Sequence, residues 1–289
     1  MAADVSIGRA VAFLSFWGGR HRRSTHIPRS IPVKKHFLSR ALAVAALAVG
    51  SLTGAHAEGK KPTIVLVHGA WADGSSWNKV IPLLQAKGYT VFAVQNPLTS
   101  LAADVAATKQ VLESTTAPVV LVGHSWAGTV ITEAGNDPKV AALVYVAAFA
   151  NNDGQAAGEL VNAYPKTPAI GTLRDDGHGF LYQTEQGVIE NFAPDLPRAE
   201  AKTMAVTQGA LAASTFADKV THAAWKDHPS WYIVSANDRV ISPQLERDAA
   251  KQMNAKTTIL DSSHVSLLSH PKDVAKVIEE AAESVAGGR

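Results

Sequence analysis

Short β-rich runs alternate with helical patterns along most of the chain, and this alternation constrains the fold more than any other feature. Six runs predict strands, at Thr63–His68, Thr90–Val94, Val119–Val122, Ala141–Ala147, Trp231–Ser235 and Thr257–Leu260. Five segments between and after them predict helices, at Trp77–Lys87, Leu101–Ser114, Trp126–Asn136, Pro243–Met253 and Pro271–Val285. Such alternation is typical of a mostly parallel sheet flanked by helices, an α/β fold.

The segment from Asn151 to Trp225 departs from this alternation. It contains several Pro and Gly residues and helical patterning, but no clear strand. It is much longer than an ordinary connection between elements, whose median length is about 4–6 residues. We therefore predict that residues 151–225 form an inserted helical cap within a single domain, residues 58–289. A second small domain is the alternative, which the patchy apolar content of the segment disfavours.

The first 57 residues differ in composition from the rest. They hold eight basic residues and one acidic residue, a net charge of +7, whereas the remaining 232 hold 19 basic and 24 acidic residues, a net charge of −5. A basic stretch precedes an apolar run from about Ala41 to Leu52, and the small residues Ala55 and Ala57 suit signal peptidase. The sequence thus predicts a secretory signal peptide, cleavage after Ala57 and a secreted or periplasmic protein. The segment before the apolar run is unusually long for a leader that starts at Met1, and we hypothesise that Val33 is an alternative start of translation.

Composition excludes several classes of function. The chain has no Cys, which excludes a disulfide framework, a Cys-based zinc site and a thiol nucleophile. The acidic balance after the leader removes the compositional argument for nucleic acid, and the apolar run is shorter than the roughly 20 residues that span a bilayer. No dinucleotide, phosphate-loop or H-E-x-x-H metal motif occurs. We expect no cofactor, no metal ion, no nucleic-acid partner and no stable membrane span.

One motif lies where a predicted strand meets a predicted helix. The run Gly123-His124-Ser125-Trp126-Ala127-Gly128 resembles G-x-S-x-G, with a Ser between nearby glycines. A nucleophile on such a tight strand-to-helix turn is held in a strained conformation, and only small neighbours fit around it. The following helix N-terminus favours negative charge that develops nearby. The context therefore predicts that Ser125 is a nucleophile.

With the turn at Ser125 between a strand and a helix, the chain resembles the α/β-hydrolase superfamily over nearly all of residues 60–286. It is most similar to the small esterases that also include plant methyl esterases and hydroxynitrile lyases. The shared features are the run His68-Gly69-Ala70-Trp71 after the first strand, Trp77 in the next helix and the turn at Ser125. The resemblance implies an α/β-hydrolase fold and catalytic groups in the chain order Ser, acid, His.

A Ser hydroxyl needs a base, and that base needs an orienting carboxylate. His264 ends the run of four residues, 261–264, that directly follows the last predicted strand, and it is the predicted base, with His270 the alternative. Asp238 follows the penultimate predicted strand and is the predicted acid. Asp153 is the alternative acid, because some relatives place theirs after the preceding strand, whereas Asp261 is expected to shape the loop before the base.

The tetrahedral intermediate of acyl transfer needs two N–H donors. The main chain of Trp126, directly after the nucleophile, is one predicted donor, and the resemblance assigns the other to Ala70. We expect the His68 ring to hydrogen-bond the loop backbone and His124 to pack beneath the turn. Trp71 is a candidate substrate-binding residue, since an aromatic side chain there is placed to line the pocket.

The residues also distinguish among relatives of this fold. Haloalkane dehalogenases and epoxide hydrolases carry Asp where this chain has Ser125. Hydroxynitrile lyases typically have Thr and Lys where this chain has Gly69 and Val265. The sequence therefore predicts a serine esterase that cleaves small or aromatic carboxylic esters. A hydroxynitrile lyase-like or lactonase activity, or a non-catalytic binding member of the fold, is the alternative.

Overall fold

The computed structural model describes residues 61–116 and 118–286. The predicted leader, with its cleavage site after Ala57, lies outside the described residues. Among the helices of the described part, none combines the length and the apolar character needed to cross a bilayer.

Strands form at every position where the sequence predicts one. In chain order the strands are β1 (Thr63–Val67), β2 (Val91–Ala93), β3 (Val119–His124), β4 (Val140–Val146), β5 (Leu173–Asp175), β6 (Phe180–Gln183), β7 (Leu211–Ala212), β8 (Ser230–Ser235) and β9 (Lys256–Leu260). Six of them form one parallel sheet in the order β2-β1-β3-β4-β8-β9. Strands β1, β3 and β8 are buried along their whole length, because helices cover both faces of a sheet of this kind.

Helices flank this sheet on both sides. In chain order the helices are α1 (Ile81–Ala86), α2 (Leu101–Glu113), α3 (Ala127–Ala134), α4 (Ala157–Asn162), α5 (Glu185–Gly187), α6 (Arg198–Thr207), α7 (Pro243–Gln252), α8 (Ser266–Ser269) and α9 (Pro271–Ala286). Helix α3 packs mainly on β3, helix α9 packs mainly on β4, and helix α7 packs on β8. The prediction of a mostly parallel sheet flanked by helices is confirmed.

One predicted helix begins later than expected. The sequence predicts a helix from Trp77, but α1 begins at Ile81, after a 3₁₀ turn over Gly74–Trp77. Pro82 is the second residue of α1 and has no N–H to donate to a carbonyl one turn earlier. The regular helix therefore cannot extend back through Trp77.

The predicted helical cap also contains strands that the sequence did not indicate. Residues 151–225 do lie between β4 and β8, but they contain a three-stranded antiparallel sheet, β5-β6-β7, beside helices α4, α5 and α6. Strands of only two to four residues are too short to show a period-two pattern, so they cannot be predicted from the sequence. A tight turn that contains Asp176 and Gly177 joins β5 to β6. An Asp-Gly pair is typical of turns, so this pair was the one indication of a hairpin in the sequence.

Parallel strands bring their carboxyl ends to one edge of the sheet, where ligands of open α/β sheets bind. The loops after β1, β3, β8 and β9 carry Ala70, Ser125, Asp238 and His264, respectively. The topology therefore gathers residues from distant parts of the chain at one edge.

Candidate active site

Ser125 sits on a strained turn between β3 and α3. Its φ is 57°, in the left-handed region that a non-glycine residue adopts only when the surroundings hold it there. Its N–H donates to the Val146 carbonyl at 3.1 Å, and its carbonyl accepts from the N–H groups of Gly128 and Phe149 at 2.9 and 3.2 Å. These bonds tie the turn to the end of β4, so that the Ser125 side chain is held in one place.

Two glycines allow the chain to pack this tightly around the turn. A Cβ on Gly128 would lie 2.0 Å from the Phe149 carbonyl oxygen, and a Cβ on Gly69 would lie 2.7 Å from the Ser125 Cβ. The close approach falls at Gly128, three residues after the Ser, and Ala127 occupies the second-glycine position of a strict G-x-S-x-G motif. Gly69 thus lets the loop after β1 approach the serine turn itself.

A continuous chain of hydrogen bonds links Ser125, His264 and Asp238. The Ser125 hydroxyl donates to His264 Nε2 at 2.8 Å, and His264 Nδ1 donates to Asp238 Oδ2 at 2.6 Å. An ionised carboxylate can only accept, which assigns the Nδ1–H tautomer to His264. The other Asp238 oxygen accepts from the N–H groups of Val240 and Ile241 at 2.6 and 3.0 Å. All three side chains are buried, so this geometry is held apart from bulk solvent.

The structure places the alternative candidates elsewhere. Asp153 is exposed, pairs with Lys226 at 2.8 Å, and its pKa is lowered by that hydrogen bond. Asp261 accepts a hydrogen bond from Asn237 at 2.6 Å, within the loops that follow β8 and β9. His270 lies at the start of α9, 3.0 Å from the hydroxyl of its neighbour Ser269. None of these three hydrogen-bonds Ser125 within the described residues.

Two further histidines in the site are neutral and structural. His68 donates from Nδ1 to the Gly69 carbonyl at 2.8 Å and accepts at Nε2 from the Asn96 N–H at 2.8 Å, and burial lowers its pKa. His124 donates from Nε2 to the His264 carbonyl at 2.9 Å. Burial, and secondly the nearby His264, hold the pKa of His124 well below its usual value. The two rings therefore support the loops beneath the serine without carrying charge.

In the described part of the chain, two main-chain N–H groups next to the serine have no acceptor. The amides of Ala70 and Trp126 make no hydrogen bond within residues 61–116 and 118–286. Both residues line the same cavity as Ser125. Unbonded N–H groups beside a nucleophile are available to a developing oxyanion.

The cavity above Ser125 has a volume of about 350 Å³. Its lining is mainly apolar and includes Trp71, Trp126, Phe149, Leu181, Phe216 and Ile241. Trp71 is fixed there by a hydrogen bond from its Nε1 to the Leu181 carbonyl at 2.9 Å, and Trp126 by one from its Nε1 to Asp104 at 2.7 Å. Such a cavity is of the size and character that binds a small apolar ligand. The part of the chain that the structure describes offers no group of three or more His, Asp or Glu side chains suited to a metal ion.

Comparison with known proteins identifies the family of the chain. Residues 64–277 match the model of the alpha/beta hydrolase family. The chain belongs to that family.

An alpha/beta hydrolase of Aspergillus novofumigatus is 26% identical over 77% of the chain and 97% of its own length. A pyrethroid hydrolase of Sphingobium wenxiniae is 28% identical over 77% of the chain and 88% of its own length. The crystal structure of a pyrethroid hydrolase, 23% identical, superposes with a TM-score of 0.68 over 78% of the chain and 99% of that structure.

The cap of this alpha/beta hydrolase reaches the histidine of the site through contacts that the sequence did not indicate. The Asp195 carboxylate accepts hydrogen bonds from both the N–H, at 2.8 Å, and the hydroxyl of Ser263, directly before His264. The Phe192 ring meets the His264 ring edge-on at 5.1 Å. The cap therefore both covers the cavity and helps to hold the loop that carries His264.

The buried His124 predicts how the stability of the hydrolase depends on pH. Because its folded pKa lies below the unfolded value of 6.5, the unfolded chain binds more protons as pH falls below that value. The free energy of unfolding therefore decreases towards acid, by up to about 1.4 kcal/mol per pH unit for this group. We expect His124→Gln, whose amide retains a donor for the His264 carbonyl, to show a flatter decrease. Urea unfolding at about pH 7 and about pH 5 measures how the free energy of unfolding of each protein changes with pH. An equal decrease in the wild type and in His124→Gln would contradict the assignment of this pH dependence to His124.

Proposed function

We propose that this alpha/beta hydrolase cleaves carboxylic esters through an acyl-enzyme on Ser125. The observation that carries the proposal is the hydrogen-bonded chain from Ser125 through His264 to Asp238, which opens into an apolar cavity. The names of the relatives, a pyrethroid hydrolase among them, support hydrolysis as the type of reaction.

Acylation begins when the ester carbonyl lies above Ser125. His264 Nε2 removes the hydroxyl proton as Oγ attacks, and Asp238 stabilises the imidazolium that results. The negative charge on the carbonyl oxygen is met by the unbonded N–H groups of Ala70 and Trp126. The C–O bond then breaks, and the alcohol leaves with the proton from His264.

Deacylation repeats these steps with water. His264, now neutral, takes a proton from a water molecule that attacks the acyl carbonyl. The tetrahedral intermediate is stabilised by the same two N–H groups, and its collapse returns the proton to Ser125. Each group is thus used twice, and no further group is required.

The cavity favours small or aromatic esters. Four aromatic residues, Trp71, Trp126, Phe149 and Phe216, line the space above the serine. An apolar acyl or alcohol group gains from burial against these rings, at about 25 cal/mol per Å². A polar group on the same part of the substrate loses its hydrogen bonds to water and finds few partners among these walls.

A panel of p-nitrophenyl esters tests this function. We expect hydrolysis of acetate, butyrate, hexanoate and benzoate esters, with kcat/KM at least about tenfold lower for the ω-hydroxy derivative of hexanoate, because its hydroxyl is desolvated. A lactone and a cyanohydrin are assayed in parallel. Failure to hydrolyse any ester, or cleavage of the cyanohydrin without ester hydrolysis, would refute the proposed function.

A further inference from the structure

A second carboxyl group lies buried behind the site, in Glu246 of α7. Its side chain has no exposed surface. Its Oε2 accepts a hydrogen bond from the Ser235 N–H at 2.8 Å. Its Oε1 is also buried, and no protein N–H or O–H in the described part of the chain donates to it. An ionised carboxylate in this position would leave one charged oxygen without a partner, which is costly in a buried site.

The neighbour of this carboxyl group is Asp238. The Glu246 carboxyl lies close enough to Asp238 for the Asp238 carboxylate to act on it directly. The oxygens of Asp238 already accept hydrogen bonds from His264, Val240 and Ile241. Because hydrogen bonds to a carboxylate favour its charged form, Asp238 is the one of the two carboxyl groups that carries the negative charge. Two ionised carboxylates in such contact would repel each other strongly, and a single shared proton removes the repulsion.

Among the described residues, the groups around Glu246 include no buried cation that would offset a second negative charge. Tyr232 on β8 is buried, and burial raises its pKa well above its usual value, so it is neutral and supplies no positive charge. Arg247, the next residue of α7, is exposed, and its charge acts on Glu246 less strongly than burial and Asp238 do. Burial, followed by the charge of Asp238, raises the pKa of Glu246 well above its usual value.

We propose that Glu246 is a neutral carboxylic acid whose proton is donated in a hydrogen bond to the Asp238 carboxylate, and that it thereby positions the acid of the catalytic site. The inference rests on the proposed function, because Asp238 acts there on His264. The proton satisfies the otherwise unpaired Glu246 oxygen and gives Asp238 a further donor. The two carboxyl groups then share one negative charge opposite the imidazolium.

Two substitutions separate this role from simple packing. Glu246→Gln retains an oxygen for the Ser235 N–H and an amide donor for Asp238, whereas Glu246→Leu fills a similar volume with no polar group. We expect Glu246→Leu to lower kcat about tenfold or more with little change in KM, because a hydrogen bond to a charged group is lost. We expect Glu246→Gln to restore kcat to within about threefold of the wild type.

The pH profile gives a readout that packing alone would not move. In Glu246→Leu the Asp238 charge is no longer shared, so it favours the imidazolium more strongly, and the acidic limb of kcat/KM moves to higher pH. In Glu246→Gln we expect the acidic limb of kcat/KM to stay at the pH of the wild type. Infrared difference spectroscopy near neutral pH detects the C=O stretch of a protonated carboxyl in the wild type and its loss in Glu246→Gln. Glu280→Gln, which removes an exposed carboxylate on α9, is the matched control and leaves that band in place.

Absence of a protonated-carboxyl band that depends on Glu246 would overturn the inference, whether or not Glu246→Leu folds. So would a Glu246→Gln variant that loses kcat as far as Glu246→Leu, since an amide donor would then not replace the acid. Failure of the proposed function has a different signature, because the wild type then hydrolyses no ester while the infrared band still reports the proton.

Discussion

Replacing Ser125 by alanine is expected to lower kcat for ester hydrolysis by on the order of 10⁴-fold or more. The hydroxyl that donates to His264 at 2.8 Å is the proposed nucleophile, and the variant has nothing to form the acyl-enzyme. Alanine keeps the Cβ, and the backbone bonds that hold φ at 57° do not involve the hydroxyl, so the fold remains intact. Kinetics with a p-nitrophenyl ester and thermal unfolding by circular dichroism measure the two effects separately.

The matched control is Ser114→Ala, which removes an exposed hydroxyl at the end of α2. It is expected to retain the kcat and melting temperature of the wild type. A fluorophosphonate should also label the wild type once per chain, with the label on Ser125, and should not label Ser125→Ala. Normal turnover in Ser125→Ala, or labelling of another residue, would show that the nucleophile is not Ser125.

Replacing Gly128 by alanine is expected to reduce the free energy of unfolding by about 3 kcal/mol. The added Cβ would lie 2.0 Å from the Phe149 carbonyl oxygen and 2.8 Å from both the Phe149 nitrogen and the Ala148 Cβ. Two of these three atoms belong to the backbone, so the overlap cannot be relieved by rotating a side chain. The chain after β4 must move away from α3, and the change is measured by urea unfolding near neutral pH.

Gly171→Ala is the matched control for this substitution, because no atom would lie within 4 Å of its new Cβ. Its free energy of unfolding is expected to stay within about 0.5 kcal/mol of the wild type. We also expect Gly128→Ala to lower kcat, since the Phe149 N–H donates to the Ser125 carbonyl and the two segments move together. Equal stability of the two variants would show that the Phe149 segment yields freely.

The sheet could be predicted from the sequence because its buried strands are apolar and long enough to appear as distinct runs. The apolar runs of β1, β3 and β8 are buried along their whole length, and each predicted end lies within one or two residues of the observed one. The same reasoning failed in the cap, where β7 has two residues and β5 three. Periodicity needs several residues to be visible, so short strands held by their neighbours leave no signal.

The sequence by itself determined the α/β fold and three residues, Ser125, Asp238 and His264, that the structure brings into one hydrogen-bonded chain. It could do so because each follows a recognisable strand, and parallel strands end at one edge of the sheet. The tertiary structure alone decided the contacts that surround them, such as Asp195 on Ser263 and Glu246 on Asp238. These pairs join side chains from separate elements, and their chemistry depends on burial and distance, which no local pattern in the chain encodes.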